Sequence, residues 1–272
     1  MQKEVKSFDG TRIIYDIERA SRRFLILLHG AGGDLNAWKK ERENFHKKGL
    51  STLAIDLRGH GLSDRPNKVS DYELDKFAKD VQAVIKKEKI RNFVMIGHCF
   101  GGIVAINYQK IYPKMAKAYV LIDTTYKAPQ RLKFFFKSSK LMHFMNNILS
   151  REKTRKKFKR VNFNNFIGTR DIDLRRIYSD ITHTTLKSWL YTYQNIAKFD
   201  GTRTLEEMSQ PVLIIEGQDD IISNVLVAKK MHNLVKESKL HIIPRANHII
   251  VINNPGILER EIYKFVTLLK NF

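Results

Sequence analysis

Cysteine, long apolar runs and acidic residues are scarce or absent in this 272-residue sequence, and each scarcity bears on which structures or locations we expect. Cys99 is the one cysteine, so no intrachain disulfide can form, and its free thiol fits a reducing compartment. No apolar run is long enough to cross a membrane. Residues 1–7 lack the apolar stretch of a signal peptide, and we therefore expect a cytoplasmic protein.

Acidic residues are scarce as well, with 28 aspartates and glutamates against 49 lysines and arginines, a net charge of +21. Residues 126–205 hold 18 of those cations and only 5 of the acids. A general lysine bias would explain this charge, and so would an anionic partner. The densest run, residues 151–160, fits either a solvated helix face or a contact with anionic lipids at the inner face of a membrane. No nucleic-acid recognition module is visible, so we do not expect a nucleic-acid partner.

The sequence alternates short apolar runs with amphipathic helical patterns. Such runs are typical of parallel strands covered on both faces, and they lie at residues 24–28, 52–55, 93–96, 118–122, 212–216 and 240–243. This alternation predicts an α/β fold with a mostly parallel, doubly wound sheet.

Local patterns add three further predictions. Residues 4–7 and 12–17 flank the turn signal Asp9-Gly10, which predicts an antiparallel hairpin at the start of the chain. Asp34 has the position of a helix cap, and Ser70 with Glu73 has the spacing of a capping box before a second helix.

Residues 126–205 interrupt the alternation with helical patterns that are rich in aromatic residues and cations. We interpret them as a helical cap, the lid segment (residues 126–205), inserted into a core made of residues 1–125 and 206–272. Its aromatic side chains either pack the lid segment onto the sheet or line a substrate pocket. Pocket candidates are Phe134, Phe135, Phe136, Leu141, Phe144, Met145, Phe163, Phe166, Trp189 and Tyr193.

Residues 97–101, Gly-His-Cys-Phe-Gly, join an apolar strand to a helical pattern. This is the pattern of a sharp strand-to-helix elbow, in which a nucleophile is flanked by one residue and then one glycine on each side. Both flanking positions are glycine because a Cβ there would collide with its neighbours. The tip lies at a helix N-terminus, which stabilises an anion. Taken alone, the motif fits a reactive Cys99 and a buried structural thiol equally well.

Two other loops supply the groups that a thiolate nucleophile needs. An acid, Asp219 or Asp220, follows one strand, and His248 follows the last strand, so all candidates lie at carboxyl ends of strands. Backbone N–H groups of Ala31 and Phe100 are the candidate oxyanion donors. The alternatives are a helix cap for the acids and one of nine scattered histidines for His248.

Together these motifs resemble the α/β-hydrolase superfamily, in its single-domain, cap-bearing branch, over nearly the whole chain. The resemblance rests on His29-Gly30 with Gly33, Trp38, residues 56–63, the elbow, residues 217–220, and His248 with Pro255. It implies a Cys99-His248-Asp220 triad, because the family's acid lies three residues after the glycine of its strand-end motif. We also expect His29, Gly30, His98, Phe135 and Trp189 to contact substrate. Asn253 stands where the family often has a glutamate.

The cysteine departs from the common pattern of the family. Its elbow resembles those of dienelactone hydrolases and polyhydroxyalkanoate synthases, whereas Asp56-Leu-Arg-Gly-His-Gly resembles the serine-dependent hydrolases. An epoxide hydrolase would carry aspartate at position 99. Because thiolate is a good leaving group, we expect hydrolysis of carboxylic esters, thioesters or lactones rather than amides, through an acyl-enzyme. Acyl transfer, or a catalytically silent binding or scaffold protein, are the alternatives.

No cofactor is expected. A metal site is not expected either, because no histidine pair has ligand spacing and there is no second cysteine. The sequence carries no signal for an oligomeric state.

Overall fold

A computed structural model describes residues 1–136, 139–150, 158–270 and 272. Its eight strands form one sheet and are β1 (Gln2–Lys6), β2 (Arg12–Glu18), β3 (Phe24–Leu28), β4 (Ser51–Ile55), β5 (Phe93–His98), β6 (Ala118–Ile122), β7 (Val212–Gly217) and β8 (Ser238–Ile243). Their order across the sheet is β1-β2-β4-β3-β5-β6-β7-β8. The first two strands are the predicted hairpin, and β2 pairs antiparallel with β4. All other pairs are parallel, which confirms the predicted α/β sheet.

Eleven α-helices lie in the described part of the chain. They are α1 (Lys39–Lys47), α2 (Leu74–Lys87), α3 (Phe100–Ile111), α4 (Gln130–Phe135), α5 (Ser139–Ser150), α6 (Leu174–Thr184), α7 (Leu186–Ile196), α8 (Thr202–Glu206), α9 (Val225–Leu234), α10 (Ile250–Asn253) and α11 (Pro255–Thr267). None of the described helices combines the length and the apolar character that a membrane span requires.

Helices cover both faces of the sheet because β3 to β7 are apolar on both sides. All five residues of β3 and of β6 are buried. Helices α2, α3 and α9 pack on one face through residues such as Phe77, Val104 and Met231. The other face is covered by α1 and α11, through Phe45 and Leu258 among others. Each fully buried aliphatic or aromatic side chain stabilises such a core by roughly 1.5–3 kcal/mol.

The predicted helix starts are correct at one position and wrong at another. Asp34 accepts a hydrogen bond from Asn36 N and caps a 3-10 helix, Leu35–Trp38, that leads into α1. Ser70, by contrast, lies inside a second 3-10 helix, Val69–Tyr72, and α2 begins only at Leu74 without a side-chain cap. The capping-box prediction is therefore wrong, because the box spacing coincides with a turn that precedes the helix.

The described residues of the lid segment form helices joined by turns and irregular stretches, with an isolated bridge between Lys127 and Asp200. This segment begins just after the carboxyl end of β6, and the bridge between Lys127 and Asp200 brings its far end back beside its start. It therefore begins at the edge of the sheet to which the predicted catalytic loops also belong.

Candidate active site

The elbow between β5 and α3 places Cys99 in a backbone conformation that side chains rarely adopt, with φ +51° and ψ −115°. A Cβ added at Gly97 would overlap the Gly101 carbonyl, and one at Gly101 would overlap the Leu28 carbonyl. Cys99 N donates to Ile122 O at 2.9 Å. The close packing expected from the sequence therefore exists, and it fixes the thiol at the N-terminus of α3.

His248 lies close enough to the Cys99 thiol to interact with its charge, and both groups border the same cavity. Burial alone would raise the pKa of this thiol, but the charge of His248 and hydrogen bonds from His248 and Phe100 N–H lower it. Burial would also lower the pKa of His248, yet the charge of Cys99 and the carboxylate of Asp220 raise it well above its ordinary value. The lowered pKa of Cys99 and the raised pKa of His248 both favour a thiolate–imidazolium pair.

Asp220 holds the other nitrogen of His248, with Oδ2 2.7 Å from Nδ1. It also accepts hydrogen bonds from Ile222 N at 2.6 Å, from Ser223 N at 3.0 Å and from Ser223 Oγ at 2.6 Å. Burial would raise the pKa of Asp220, but the hydrogen bond and charge of His248 hold it well below its usual range. Asp219 is exposed, so Asp220 is the one of the two candidate acids that lies against His248.

Two further buried carboxyls, which the sequence did not point to, surround this acid. Glu216 Oε1 lies 3.0 Å from Ser223 Oγ, and burial together with the charges of Asp123 and Asp220 raises the pKa of Glu216 to about 10. Asp123 follows β6 and accepts a hydrogen bond from Gly217 N at 2.8 Å through Oδ1, while its Oδ2 has no partner among the described residues. Burial raises the pKa of Asp123 well above its ordinary value. Glu216 is therefore neutral near pH 7 and burial favours the protonated form of Asp123, whereas the hydrogen bond and charge of His248 favour the ionised form of Asp220.

A cavity of about 220 Å³ opens at Cys99 and His248. Its walls come from the glycine turn, α3, the loop after β6, the start of α9 and the lid segment. The lining side chains are mainly apolar and include Ala31, Phe100, Ile103, Leu132, Tyr193, Ile196, Ile222 and Val227. The lid segment therefore contributes part of the wall, and the two predicted oxyanion donors, Ala31 and Phe100, both border the thiol.

Among the pocket aromatics, Tyr193 lines this cavity, but two expected substrate contacts do not. Phe135 is 58% exposed, because α4 turns Leu132 inward and this phenyl ring outward. Trp189 packs against Tyr193 with ring centroids 4.3 Å apart and the ring planes tilted by 42°, and it is not among the residues that line the cavity. Phe163 and Phe166 line a second cavity of about 50 Å³ instead. The side chains of Leu141 and Met145 are outside the described part of the structure.

The histidines of the two glycine motifs support the site rather than line the main cavity. His29 is fully buried, its Nε2 accepts from Leu57 N at 3.1 Å, and its Nδ1 lies 2.8 Å from Gly30 O, so the prediction that it contacts substrate is wrong. His98 and Gly30 line the second cavity. His98 Nε2 lies 2.8 Å from His248 O, and burial with the charge of His248 lowers the pKa of His98 to about 3. A neutral His98 therefore donates to the His248 carbonyl.

The basic run is only partly within the described residues, since 151–157 lie outside them. Lys159 is exposed, as expected for a solvated cation. Arg160 is different, because its Nη1 lies 2.9 Å from both carboxylate oxygens of the fully buried Asp56. Arg160 is therefore an internal ion-pair partner and is not free to bind a lipid headgroup.

Two clusters in the described part of the chain bring three possible metal-ligand atoms within 4.8 Å of one another. One consists of His98, Asp123 and His248, and the other of Asp123, Glu216 and Asp220. Sequence spacing did not reveal the histidine pair, because 150 residues separate its members. Both clusters overlap the triad, and their histidines and Asp220 already have hydrogen-bond partners. The expectation that the chain uses no metal or cofactor stays a prediction.

Comparison with known proteins adds family information to this geometry. Residues 24–169, more than half of the chain, match the family model described as alpha/beta hydrolase fold. Protein ABHD8 of Homo sapiens is 22% identical over 248 residues, which cover 89% of this chain and 54% of that protein. The chain thus spans about half the length of such curated relatives.

An epoxide hydrolase and an esterase are also among the similar proteins. Epoxide hydrolase 1 of Caenorhabditis elegans is 23% identical over 261 residues, which cover 89% of this chain and 64% of that protein. The solved structure of an esterase from Exiguobacterium antarcticum superposes with a TM-score of 0.77 at 16% identity, and covers 98% of this chain and 100% of the esterase chain. At that identity the esterase supports the fold alone.

Proposed function

Because the chain belongs to the alpha/beta hydrolase fold family, we propose that it hydrolyses carboxylic esters, thioesters or lactones through Cys99, His248 and Asp220. The observation that carries this proposal is that the buried pair of His248 and Asp220, joined by a 2.7 Å hydrogen bond, lies beside the Cys99 thiol at the strained elbow. Its thiol borders a cavity and its histidine is buried, which is the arrangement that nucleophilic catalysis requires.

In the first half-reaction the Cys99 thiolate attacks the substrate carbonyl carbon. A C–S bond forms, and the carbonyl electron pair moves to oxygen, where the N–H groups of Ala31 and Phe100 are proposed to stabilise it. The oxyanion collapses, the bond to the leaving group breaks, and the His248 imidazolium gives its proton to the departing alkoxide or thiolate. The product is a thioester between the acyl group and Cys99.

In the second half-reaction, neutral His248 removes a proton from water as the water attacks the thioester. The tetrahedral intermediate then expels the Cys99 thiolate and releases the carboxylic acid, which restores the ion pair. Asp220 keeps the histidine in one tautomer and orientation throughout both steps.

The leaving group and the cavity limit the substrate. An amine anion is a much poorer leaving group than an alkoxide or a thiolate, so esters, thioesters and lactones are favoured over amides as substrates. The cavity is smaller than the about 300–1,000 Å³ of sites for drug-sized ligands, and its walls are mainly apolar. These features support a small apolar acyl group. Epoxide opening, as in the related epoxide hydrolase, is not favoured, because position 99 is a cysteine and not an aspartate.

A panel of short-chain esters, thioesters, lactones and matched amides, assayed with wild type and with Cys99→Ala, tests the proposal. We expect wild type to turn over at least one of the first three classes, no turnover of the amides, and no turnover at all by Cys99→Ala. Mass spectrometry of a slow ester should show one acyl group on wild type only. Activity that persists in Cys99→Ala, or a wild type that is silent on every class, would contradict the proposal.

A further inference from the structure

One stretch of the lid segment, residues 168–171, is hydrogen-bonded to the loop that carries His248. Asp171 Oδ1 accepts from His248 N at 2.8 Å. Its other carboxylate oxygen, Oδ2, accepts from Ile221 N at 3.0 Å, next to Asp220. One buried side chain of the lid segment, only 6% exposed, therefore holds the backbone of both catalytic loops.

We propose that Asp171 is a positioning residue that sets the distance between His248 and Asp220 and aims His248 at Cys99. This inference rests on the proposed function, because it assigns a role in the same triad. Asp171 touches neither the thiol nor the cavity wall, so its action passes through the two loop backbones that it joins.

Carboxylate chemistry explains why an acid is needed at position 171. Two N–H donors from different loops converge on one side chain, and only a carboxylate offers an acceptor oxygen to each. An asparagine would present an oxygen to one donor and an NH₂ group to the other. One buried N–H would then lose its partner, and its loop would have to move to regain one.

Neighbouring contacts hold the same stretch in place. Asn253 Oδ1 accepts from Gly168 N at 2.7 Å, and Asn253 Nδ2 donates to Thr169 O at 3.1 Å. Asn247, immediately before His248, also donates to Thr169 O, at 2.8 Å. The asparagine at the position where the family often has a glutamate therefore both donates to and accepts from the lid segment, which a carboxylate could not do.

The test is the pH dependence of Cys99 alkylation by iodoacetamide in Asp171→Asn, combined with steady-state kinetics. A displaced His248 stabilises the thiolate less, so the pH midpoint should rise by about one unit or more. Misplacement of a catalytic group should lower kcat ~100-fold while KM changes little. Asp173→Asn is the matched control, because Asp173 caps α6 in the same segment and asparagine caps equally well. It should match wild type in both measurements.

A second variant keeps the test independent of whether Asp171→Asn folds. Asn253→Ala releases Gly168 N and removes one of the two hydrogen bonds to Thr169 O, but leaves Asp171 intact, and it should shift the midpoint in the same direction by a smaller amount. If circular dichroism shows that both variants are folded and both keep the wild-type midpoint, the proposed role of Asp171 is overturned. The proposed function would still stand. A wild-type thiol that titrates like free cysteine would remove the proposed function, and the role of Asp171 with it.

Discussion

The two halves of the candidate triad are held by different parts of the molecule. Cys99 is fixed by the sheet, since its N–H donates to Ile122 O in β6 and its carbonyl accepts from Thr124 Oγ1 at 2.6 Å. His248 is held by two side chains, that of His98 at the end of β5, which donates to its carbonyl, and that of Asp171 in the lid segment, which accepts from its N–H. The nucleophile therefore depends on the core, whereas the base depends on side chains, one of them in the lid segment.

This difference predicts where the site is robust and where it is fragile. Backbone contacts such as those at the elbow survive most side-chain changes, provided that glycine remains where no Cβ fits. Contacts made by side chains are lost with a single substitution. Changes at the elbow glycines should therefore affect folding first, and changes around His248 should affect chemistry in a folded protein.

The largest expected effect is the loss of kcat when His248 loses its carboxylate partner. Asp220→Asn should lower kcat by about 10⁴-fold without unfolding the chain, because His248 loses the acceptor that fixes its tautomer. Asp219→Asn is the control. Its kcat should stay within about twofold of wild type, because Asp219 is exposed and water screens its charge. Steady-state kinetics on one ester substrate measures both. A larger loss in Asp219→Asn would show that the acid is misassigned.

Substitutions at the elbow that holds Cys99 should lower the stability of the fold. Gly101→Ala places a Cβ against the backbone carbonyl of Leu28 and should lower the free energy of unfolding by about 3 kcal/mol, the upper end for overpacked sites. Gly256→Ala in α11 is the matched control, with nothing within 4 Å of the added Cβ. It should raise stability by about 0.4–1 kcal/mol through a less flexible unfolded chain. Urea denaturation followed by circular dichroism checks both, and equal stability of the two variants would contradict the packing argument.

The smallest effect concerns the charge of the lid segment, for which we propose weak binding to anionic lipid vesicles. Changing Lys156, Lys157 and Lys159 to glutamine should lower vesicle binding by roughly fivefold for each lysine that lies near the surface, since each such lysine contributes about 1 kcal/mol. Arg160 is left unchanged, because its loss would strand Asp56.

The matched control for vesicle binding removes three exposed lysines of the core, Lys229, Lys230 and Lys236. It should change binding less than the lid variant does. Attraction should also fall when salt is raised, because screening acts over about 8 Å at physiological ionic strength. Equal binding to anionic and neutral vesicles in a sedimentation assay would leave the charge as a lysine bias.

Most of the fold could be predicted because its signals are local. The continuous apolar runs predicted β3 and β6 to the residue, since strands buried on both faces cannot tolerate polar positions. The predicted capping box failed because the same spacing serves a 3-10 helix before α2. The spacing of apolar residues shows where a helix or strand lies, but it does not fix the residue at which that element begins.

The candidate site was predictable only where a strand end marks it. Cys99, Asp220 and His248 each follow a strand, and so does Asp123, which the same rule could have found. No pattern could have found Asp171, because it lies in a loop and its partners are backbone N–H groups that every residue carries. Phe135 was misplaced for a related reason, since composition alone does not tell which side of a short helix faces the cavity.

The central claim is that His248 holds Cys99 as a thiolate, and the pH dependence of iodoacetamide alkylation tests it most directly. In wild type, the charge of His248 lowers the thiol pKa, so labelling should reach half its maximum well below the ordinary cysteine value of about 8.5. In His248→Ala the burial contribution, which raises the pKa, is no longer opposed by that charge, so the midpoint should move to or above about 8.5. Intact mass reports the site without ambiguity, because the chain has one cysteine. A wild-type midpoint near that of a free thiol, unchanged in His248→Ala, would contradict the account.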